Sequence, residues 1–174
     1  VLQQCEAHYP WVKVLAHSEN RGKGAAVIAA AQAAWALGYT HAVQIDADGQ
    51  HDVADVVTFL SWCEREPAAL ILGKPVFDAT APKGRIYGRR LTHLCIWLET
   101  LSFDIKDGLC GFRCYPLEML CAVTSRIAVG NRMDFDPHIV VRMAWEGVPI
   151  VNVETRVRYF ERGVSHFRMV RDNL

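Results

Sequence analysis

Short apolar runs alternate along this chain with longer segments whose apolar residues recur every three or four positions. Runs of the first kind are typical of buried strands, and segments of the second kind are typical of amphipathic helices. The predicted strands span residues 12–16, 42–45, 69–72, 149–153 and 156–160, and one more strand follows a turn at 107–116. The predicted helices span residues 1–9, 25–37, 53–65, 89–103, 117–123 and 136–145, with a loop at 77–84. This alternation predicts an α/β fold with a mostly parallel sheet flanked by helices.

The predicted strand at 42–45 leads directly into two carboxylates, Asp46 and Asp48, which are followed by Gly49 and Gln50. Residues i and i+2 of a strand point to the same side, so both carboxylates can reach one cation. Hard divalent ions such as Mg²⁺ or Mn²⁺ prefer oxygen ligands, and the amide oxygen of Gln50 can add another. An ordinary turn is the competing interpretation, because Asp and Gly favour turns. The spacing excludes an EF-hand calcium loop, whose glycine falls two places later.

A basic loop with two glycines, at residues 20–24, precedes the predicted helix at 25–37. Backbone N–H groups at a helix start, together with Arg21 and Lys23, suit an anionic ligand. A solvated turn is the alternative. The loop is not a P-loop, because its Gly-Lys pair is followed by Gly rather than Ser or Thr, and the chain contains no Gly-x-Gly-x-x-Gly fingerprint.

Three polar side chains, Asp134, Asp136 and His138, stand at the start of the predicted helix at 136–145. Asp136 can cap this helix, since Pro137 favours the first helical position. A carboxylate or imidazole that faces a cleft from a helix start can also act as a general base. The sequence leaves both roles open.

The tail of the chain is rich in arginine. On a strand, Arg156 and Arg158 share a face, and the run at 162–166 adds Arg162, Ser165 and His166. Arginine forks suit phosphate groups, and Ser and His add hydrogen-bond donors. An ordinary exposed face is the alternative interpretation of this tail.

Composition narrows the possible classes of protein. With 174 residues, of which 51% are hydrophobic, the chain is predicted to form one globular domain. Its formal net charge of +0 gives no reason to expect nucleic-acid binding. The six cysteines contain no Cys-x-x-Cys pair and lie mostly among apolar neighbours, which predicts reduced core thiols and favours the cytoplasm. The chain starts without Met and stops without a closing element, which suggests a fragment.

Four of the motifs occur in the order seen in family 2 glycosyltransferases with a GT-A (Rossmann-like) fold, and the chain resembles this family over essentially its whole length. It is most similar to dolichol-phosphate-mannose-synthase-like members, and among these to bacterial enzymes encoded beside, or fused to, lipid acyltransferases. In chain order the motifs are the basic loop at 20–24, the acidic run at 46–51, the Cys-Gly-Phe-Arg run at 110–113 and the run at 162–166.

The resemblance implies a nucleotide-sugar donor, a divalent metal (Mg²⁺ or Mn²⁺) as cofactor, and inversion at the sugar carbon. Asp46 matches the residue that faces the nucleotide. Asp48 matches the main metal ligand, with Asp46 and Gln50 as further ligands. Lys23 and Arg21 match a basic loop that lies near the nucleotide.

The remaining motifs imply contacts with the acceptor. Arg113 falls where the family approaches the acceptor, and Arg162, Ser165 and His166 match a motif that faces donor and acceptor phosphates. A lipid-linked acceptor is one option. A membrane-associated full-length protein would then make peripheral contact with the cytoplasmic face of the inner membrane, with no nucleic-acid partner.

Two departures from the family pattern bear on the expected mechanism. The N-terminal strand-helix-strand unit that binds the base is missing, so the first βαβ portion of the domain is expected to be absent. His138 stands where the family often has Glu, which leaves Asp136, Asp134 and His138 as candidate bases, with Arg162 completing the catalytic set. A non-catalytic nucleotide-sugar-binding module and a nucleotidyltransferase with a similar acidic metal site remain open as other functions.

Overall fold

A computed structural model describes residues 1–77 and 83–157 of the chain. Its four strands form one mixed sheet in the order β1-β3-β2-β4. Strand β3 is antiparallel to both β1 and β2, whereas β2 and β4 are parallel, so β1, β2 and β4 all run in the same direction. The strands are β1 (His41–Gln44), β2 (Leu70–Phe77), β3 (Arg113–Pro116) and β4 (Ile150–Val157).

The prediction of an α/β fold is confirmed, but the sheet is mixed rather than mostly parallel. The cause is β3, which enters the sheet between β1 and β2 in the opposite direction, pairing Gln44 with Arg113 and Ile71 with Cys114. The helix and loop between β2 and β3 are long enough to return the chain to either end of the sheet. The apolar pattern therefore could not fix the direction of this strand.

Six α-helices accompany the strands in the described ranges, with a short 3₁₀ turn at Val53–Asp55. The helices are α1 (Leu2–His8), α2 (Lys23–Ala36), α3 (Val56–Arg65), α4 (Lys83–Thr100), α5 (Leu117–Arg126) and α6 (Phe135–Trp145). All six predicted helices are thus confirmed in position. Helix α4 begins six residues before its predicted start at Arg89, in what was expected to be the loop at 77–84.

Two strand predictions differ from the structure. Residues 12–16 form no strand, and the N–H of Val14 donates to Oε1 of Glu6 (3.0 Å) rather than to a neighbouring strand. Strand β2 continues to Phe77, beyond its predicted end at Leu72, because it pairs along its whole length with β4. The single strand β4 (Ile150–Val157) covers the first of the two strands predicted at 149–153 and 156–160 and the start of the second. The rest of the second lies outside the described residues.

Helices cover both faces of the sheet. Because side chains of a strand alternate between its faces, Leu70 and Leu72 of β2 pack in one apolar cluster with Ile139, while Ile71 packs in another with Phe59. In the second cluster, the rings of Phe59 and Phe112 stack at a centroid distance of 4.1 Å. No helix within the described ranges is long and apolar enough to cross a membrane.

Candidate functional site

The site forms where three distant segments bring charged side chains together beyond the end of β1. The ammonium of Lys23, at the start of α2, lies 2.9 Å from Oδ2 of Asp46 and 2.6 Å from Oδ2 of Asp136. Asp46 follows β1 and Asp136 lies in the first turn of α6. Strands β1, β2 and β4 all end at this edge of the sheet, which is where open α/β sheets bind their ligands.

Close backbone contact fixes Lys23 beside Asp136. Gly22 precedes α2 with a φ of 91°, which only glycine adopts easily. A Cβ on Gly24 would lie 2.5 Å from the carbonyl oxygen of Gly130 and 2.6 Å from Cβ of Phe135. The start of α2 therefore packs directly against the turn that opens α6. The glycines of the basic loop serve this packing.

A second close contact joins Asp46 to the Cys-Gly-Phe-Arg run. A Cβ on Gly111 would overlap the carboxylate of Asp46, so a larger residue here would displace that carboxylate. Two of the four sequence motifs are thus neighbours in space, because the carboxylate after β1 packs against the backbone just before β3.

Asp136 lies inside the helix rather than at its cap. Helix α6 begins at Phe135, so Asp134 occupies the capping position, and the expected capping role of Asp136 is wrong. Asp136 is 2% exposed. Its Oδ2 binds Lys23, and its Oδ1 lies 3.6 Å from Nη1 of Arg113 without a hydrogen bond to any described residue.

The other two candidate bases lie in the turn before α6. Oδ1 of Asp134 accepts the N–H of Arg132 (3.0 Å), and Nδ1 of His138 accepts the N–H of Gly130 (3.2 Å). Both side chains thus brace the turn at 130–134. Of the three candidate bases, Asp136 is the one in direct contact with the other charged residues of the site.

Arg113 was expected to approach the acceptor, but its side chain is fully buried and offers no exposed guanidinium. Its three nitrogens donate to the carbonyl oxygens of Cys110 (2.7 Å), Gly108 (2.8 Å) and Asp136 (2.8 Å). Burial alone would lower the pKa of Arg113, but the neighbouring Tyr115 and Asp136 outweigh it and raise the pKa. The guanidinium remains a buried cation that holds the backbone of Asp136, and it is not an exposed phosphate ligand.

Two further residues join this buried network. The hydroxyl of Tyr115 accepts a hydrogen bond from Nη1 of Arg113 (3.3 Å) and donates one to Oε1 of Gln44 (3.1 Å). Burial raises the pKa of Tyr115 to about 12, so it stays a neutral donor. The sequence analysis missed both residues. Gln44 could have been predicted, because residues i and i+2 of a strand point to the same side and Gln44 lies two positions before Asp46.

The acidic run forms a turn, as the alternative to a metal-binding strand end predicted. Oδ1 of the exposed Asp48 accepts the N–H of Gln50 (3.0 Å), and Gly49 between them has a φ of 73°. Within the described ranges, no three His, Cys, Asp or Glu side chains are grouped to hold a metal ion. One oxygen each of Asp46 and Asp48 accepts no hydrogen bond from the described residues, and this pair of hard donors fits Mg²⁺ or Mn²⁺.

His51 closes the acidic run and was not among the predicted site residues. It forms a β-bridge with Val157 at the end of β4, and its ring packs edge-on against Phe112 at a centroid distance of 5.4 Å. Burial lowers the pKa of His51, and this effect exceeds the opposing effect of the Asp46 and Asp48 carboxylates. The imidazole is therefore mostly neutral at pH 7.

A second ion pair positions the turn that carries Gly111. Arg89 of α4 donates to Asp107 through Nε (2.5 Å) and Nη2 (2.8 Å). Oδ1 of Asp107 also accepts the N–H groups of Leu109 and Cys110. The turn at 107–111 is thus held between Arg89 on one side and Arg113 on the other. The sequence analysis assigned no role to Asp107 or Arg89.

The remaining predicted residues fall outside the described ranges or form no hydrogen bond or ion pair with this cluster in the described part of the chain. Arg21 is exposed in the loop before α2. Arg162, Ser165 and His166 lie outside the described residues. The structure therefore brings together Lys23, Asp46 and Asp136, and Asp48 follows Asp46 in the acidic turn.

Comparison of the chain with protein-family models and with curated proteins found no match to either.

Proposed function

We propose that this chain is the catalytic domain of a metal-dependent, inverting glycosyltransferase of GT-A type, which moves a sugar from a nucleotide-sugar donor to an acceptor. The observation that carries the proposal is the meeting of Lys23, Asp46 and Asp136 at the edge of the sheet where β1 ends, two residues before the exposed Asp48. Carboxylates here could hold a divalent cation, and such a cation suits a reaction in which a diphosphate leaves.

Asp48 and Asp46, with the amide oxygen of Gln50, would hold the Mg²⁺ or Mn²⁺ ion. When bound, the ion supplies positive charge to the leaving diphosphate. Asp48 is the principal ligand in this proposal, because the carboxylate of Asp46 already binds Lys23 at 2.9 Å. Lys23 and Arg21 lie on the donor side in this proposal, where the exposed Arg21 adds positive charge and Lys23 balances the carboxylates of Asp46 and Asp136.

In the proposed reaction an acceptor oxygen forms a bond to the anomeric carbon from the face opposite the diphosphate. The bond between that carbon and the diphosphate oxygen breaks, and a nucleoside diphosphate leaves. If the acceptor is a hydroxyl, Asp136 takes its proton in this proposal, which requires the buried carboxylate to become accessible when the acceptor binds. If the acceptor is a lipid phosphate, its oxygen is already anionic and no base is needed.

A lipid-linked acceptor is supported by the surface of α4. The side chains of Tyr87, Leu91, Leu94 and Leu98, with Leu101 directly after the helix, are each at least half exposed and follow one another at spacings of three and four residues. A helix with such an apolar stripe can lie in the surface of a bilayer. We therefore include peripheral contact with the cytoplasmic face of the inner membrane in the proposal, with Arg162, Ser165 and His166 on the phosphates.

The test is a transfer assay with Mn²⁺, a panel of UDP-, GDP- and dTDP-sugars, and both hydroxyl and lipid-phosphate acceptors. Asp48→Ala should lower transfer at least about 100-fold, because it removes the main ligand of the ion. Asp104→Ala removes an exposed carboxylate near the start of β4 and should leave transfer unchanged.

Other outcomes would contradict the proposal. Full transfer by Asp48→Ala would reject the metal assignment. Donor binding without transfer to any acceptor would favour a binding module. Release of pyrophosphate from a nucleoside triphosphate would favour a nucleotidyltransferase.

A further inference from the structure

Two cysteines that the proposed reaction does not use lie against each other in the interior. Cys63 of α3 and Cys114 of β3 have their sulfur atoms 2.7 Å apart. Cys63 is 7% exposed and Cys114 is fully buried, within the apolar cluster that α3 forms on the sheet. Both are free thiols in the structure.

The separation of the two sulfur atoms is the central observation. A disulfide bond is about 2.05 Å long, so the bond could form with a displacement of less than about 1 Å. Helix α3 and strand β3 already pack face to face here, which aims the two side chains at each other. The other four cysteines, Cys5, Cys95, Cys110 and Cys121, show no such contact with one another in the described part of the chain.

We propose that Cys63 and Cys114 are a redox modification site that takes a reversible disulfide from a low-molecular-weight disulfide such as oxidised glutathione. The Cys63 thiolate attacks one sulfur of the small disulfide and releases one small thiol. The Cys114 thiolate then attacks the sulfur of Cys63 and releases the second small thiol. The pair loses two electrons and two protons, which the two released thiols carry away.

Two properties set the rate of this exchange. Burial raises the pKa of both thiols, so the reactive thiolates are scarce at neutral pH and the pair stays reduced under reducing conditions. Cys63 is the more exposed of the two and reacts first. Exchange should therefore accelerate as the pH rises, and it should depend on local opening of α3.

The cross-link would join two elements that border the candidate site. Helix α3 follows the acidic run through the 3₁₀ turn, and β3 begins at Arg113, which supports Asp136. A disulfide here closes a loop of about 50 residues and restricts the unfolded chain, which should raise the Tm by about 10 °C. The link would also hold the acidic run in place against the strand.

The experiment incubates the native chain with oxidised glutathione at pH 8.5 and then blocks free thiols with iodoacetamide. Intact mass and a tryptic map should show a link between Cys63 and Cys114, reversed by dithiothreitol, with the expected rise in Tm. Cys63→Ala and Cys114→Ala should each abolish the link, whereas Cys110→Ala, a buried neighbour in the same cluster, should retain it.

Three results would overturn the proposal. The first is a native chain that keeps both thiols reactive to iodoacetamide after unfolding, which shows that no link formed. The second is a link that involves Cys110 or an exposed cysteine instead. The third is a link that forms only in denaturant. Each of these results is measured on the wild-type chain without a transferase assay. The test of the disulfide is therefore independent of the proposed function.

Discussion

At the scale of single residues, Lys23 is the centre of the candidate site. Its ammonium binds carboxylates that lie 23 and 113 residues away along the chain. The side chain of Asp136 is 3% exposed, so that this carboxylate depends on its cationic neighbours for stability. A buried charge that loses its partner is strongly unfavourable. The free energy of unfolding should therefore be sensitive to this one lysine.

Lys23→Met should lower the free energy of unfolding by about 3 kcal/mol, because it leaves Asp136 with Arg113 as its remaining cationic neighbour. Urea unfolding at pH 7 measures the change. Lys74→Met is the matched control, since Lys74 pairs with Glu154 on the exposed surface and should contribute only about 0.5 kcal/mol. Equal losses in the two variants would show that the Lys23 pairs are no stronger than a surface pair.

Asp107 gives a prediction about pH. Its burial alone would raise the pKa, but the nearby ring of His93 (Nε2 is 3.4 Å from Oδ2) and the hydrogen bonds from Arg89 outweigh this effect and hold the pKa of Asp107 well below its usual range. The stability contributed by this ionised group is full above the unfolded pKa of about 3.9 and declines as the pH falls below it. Asp107→Asn should therefore cost about 3 kcal/mol at pH 7 and less at pH 3.

Unfolding measurements of wild type and Asp107→Asn at pH 7, 5 and 3 test this dependence. The difference in unfolding free energy should be similar at pH 7 and 5 and should narrow at pH 3. A difference that is constant across all three pH values would show that the native and unfolded states bind the proton equally well.

Part of the site could be predicted from single residues. The carboxylates at Asp46 and Asp48 were found because polar residues directly after an apolar strand are conspicuous in the sequence, and Lys23 because it stands among glycines. The burial of Arg113 was not predictable, since a guanidinium in a loop has the same sequence signature whether it binds a ligand or backbone carbonyls. Its acceptors at Gly108 and Cys110 become apparent only from the folded turn.

At the scale of elements, glycines fix how the segments meet. Gly24 lies in the first turn of α2 against the backbone of Gly130, whereas Gly88 lies within α4, where an added Cβ would meet no atom of the described residues within 4 Å. The same substitution should therefore have opposite effects at the two positions. In a helix interior Ala is favoured over Gly by about 1 kcal/mol, provided the methyl group has room.

Gly24→Ala should lower the free energy of unfolding by about 2 kcal/mol, because the methyl group forces α2 away from the turn before α6. Gly88→Ala should raise it by about 1 kcal/mol. Denaturant unfolding of both variants provides the measurement. A stabilised Gly24→Ala would contradict the close packing that holds Lys23 beside Asp136.

The helices were largely predictable because apolar spacing is an internal property of each segment. The order and direction of the strands were not, since they depend on partners far along the chain. Strand β3 illustrates this, because its four buried residues fit between β1 and β2 in either direction. Residues 12–16 have the composition of a strand, but the N–H of Val14 donates to the side chain of Glu6 and that of Val12 to the carbonyl oxygen of Tyr9.

At the scale of the whole molecule, the stripe on α4 is the longest run of exposed apolar side chains along one helix in the described ranges. The stripe on α4 includes Leu91 (64% exposed) and Leu98 (66% exposed), on the side of the helix away from the buried Ile96. Exposed leucines at this spacing need an apolar partner to be favourable. In the proposed function the partner is the bilayer that holds the acceptor.

Leu91→Glu combined with Leu98→Glu should reduce binding to vesicles of phosphatidylglycerol and phosphatidylethanolamine at least about tenfold, because each buried leucine contributes about 1.5–3 kcal/mol. Vesicle co-sedimentation measures the binding. Val57→Glu with Leu60→Glu, at exposed positions on α3, is the matched control and should change binding little. Equal binding by the wild type and the α4 variant would reject the membrane contact.

The β-bridge between His51 and Val157 joins the last residue of the acidic run to the last residue of β4. The acidic run is thus fastened to the sheet at both ends, by β1 before Ile45 and by β4 at His51. Loss of the bridge would leave the run attached to the sheet at one end, and the carboxylate of Asp48 would be held less firmly.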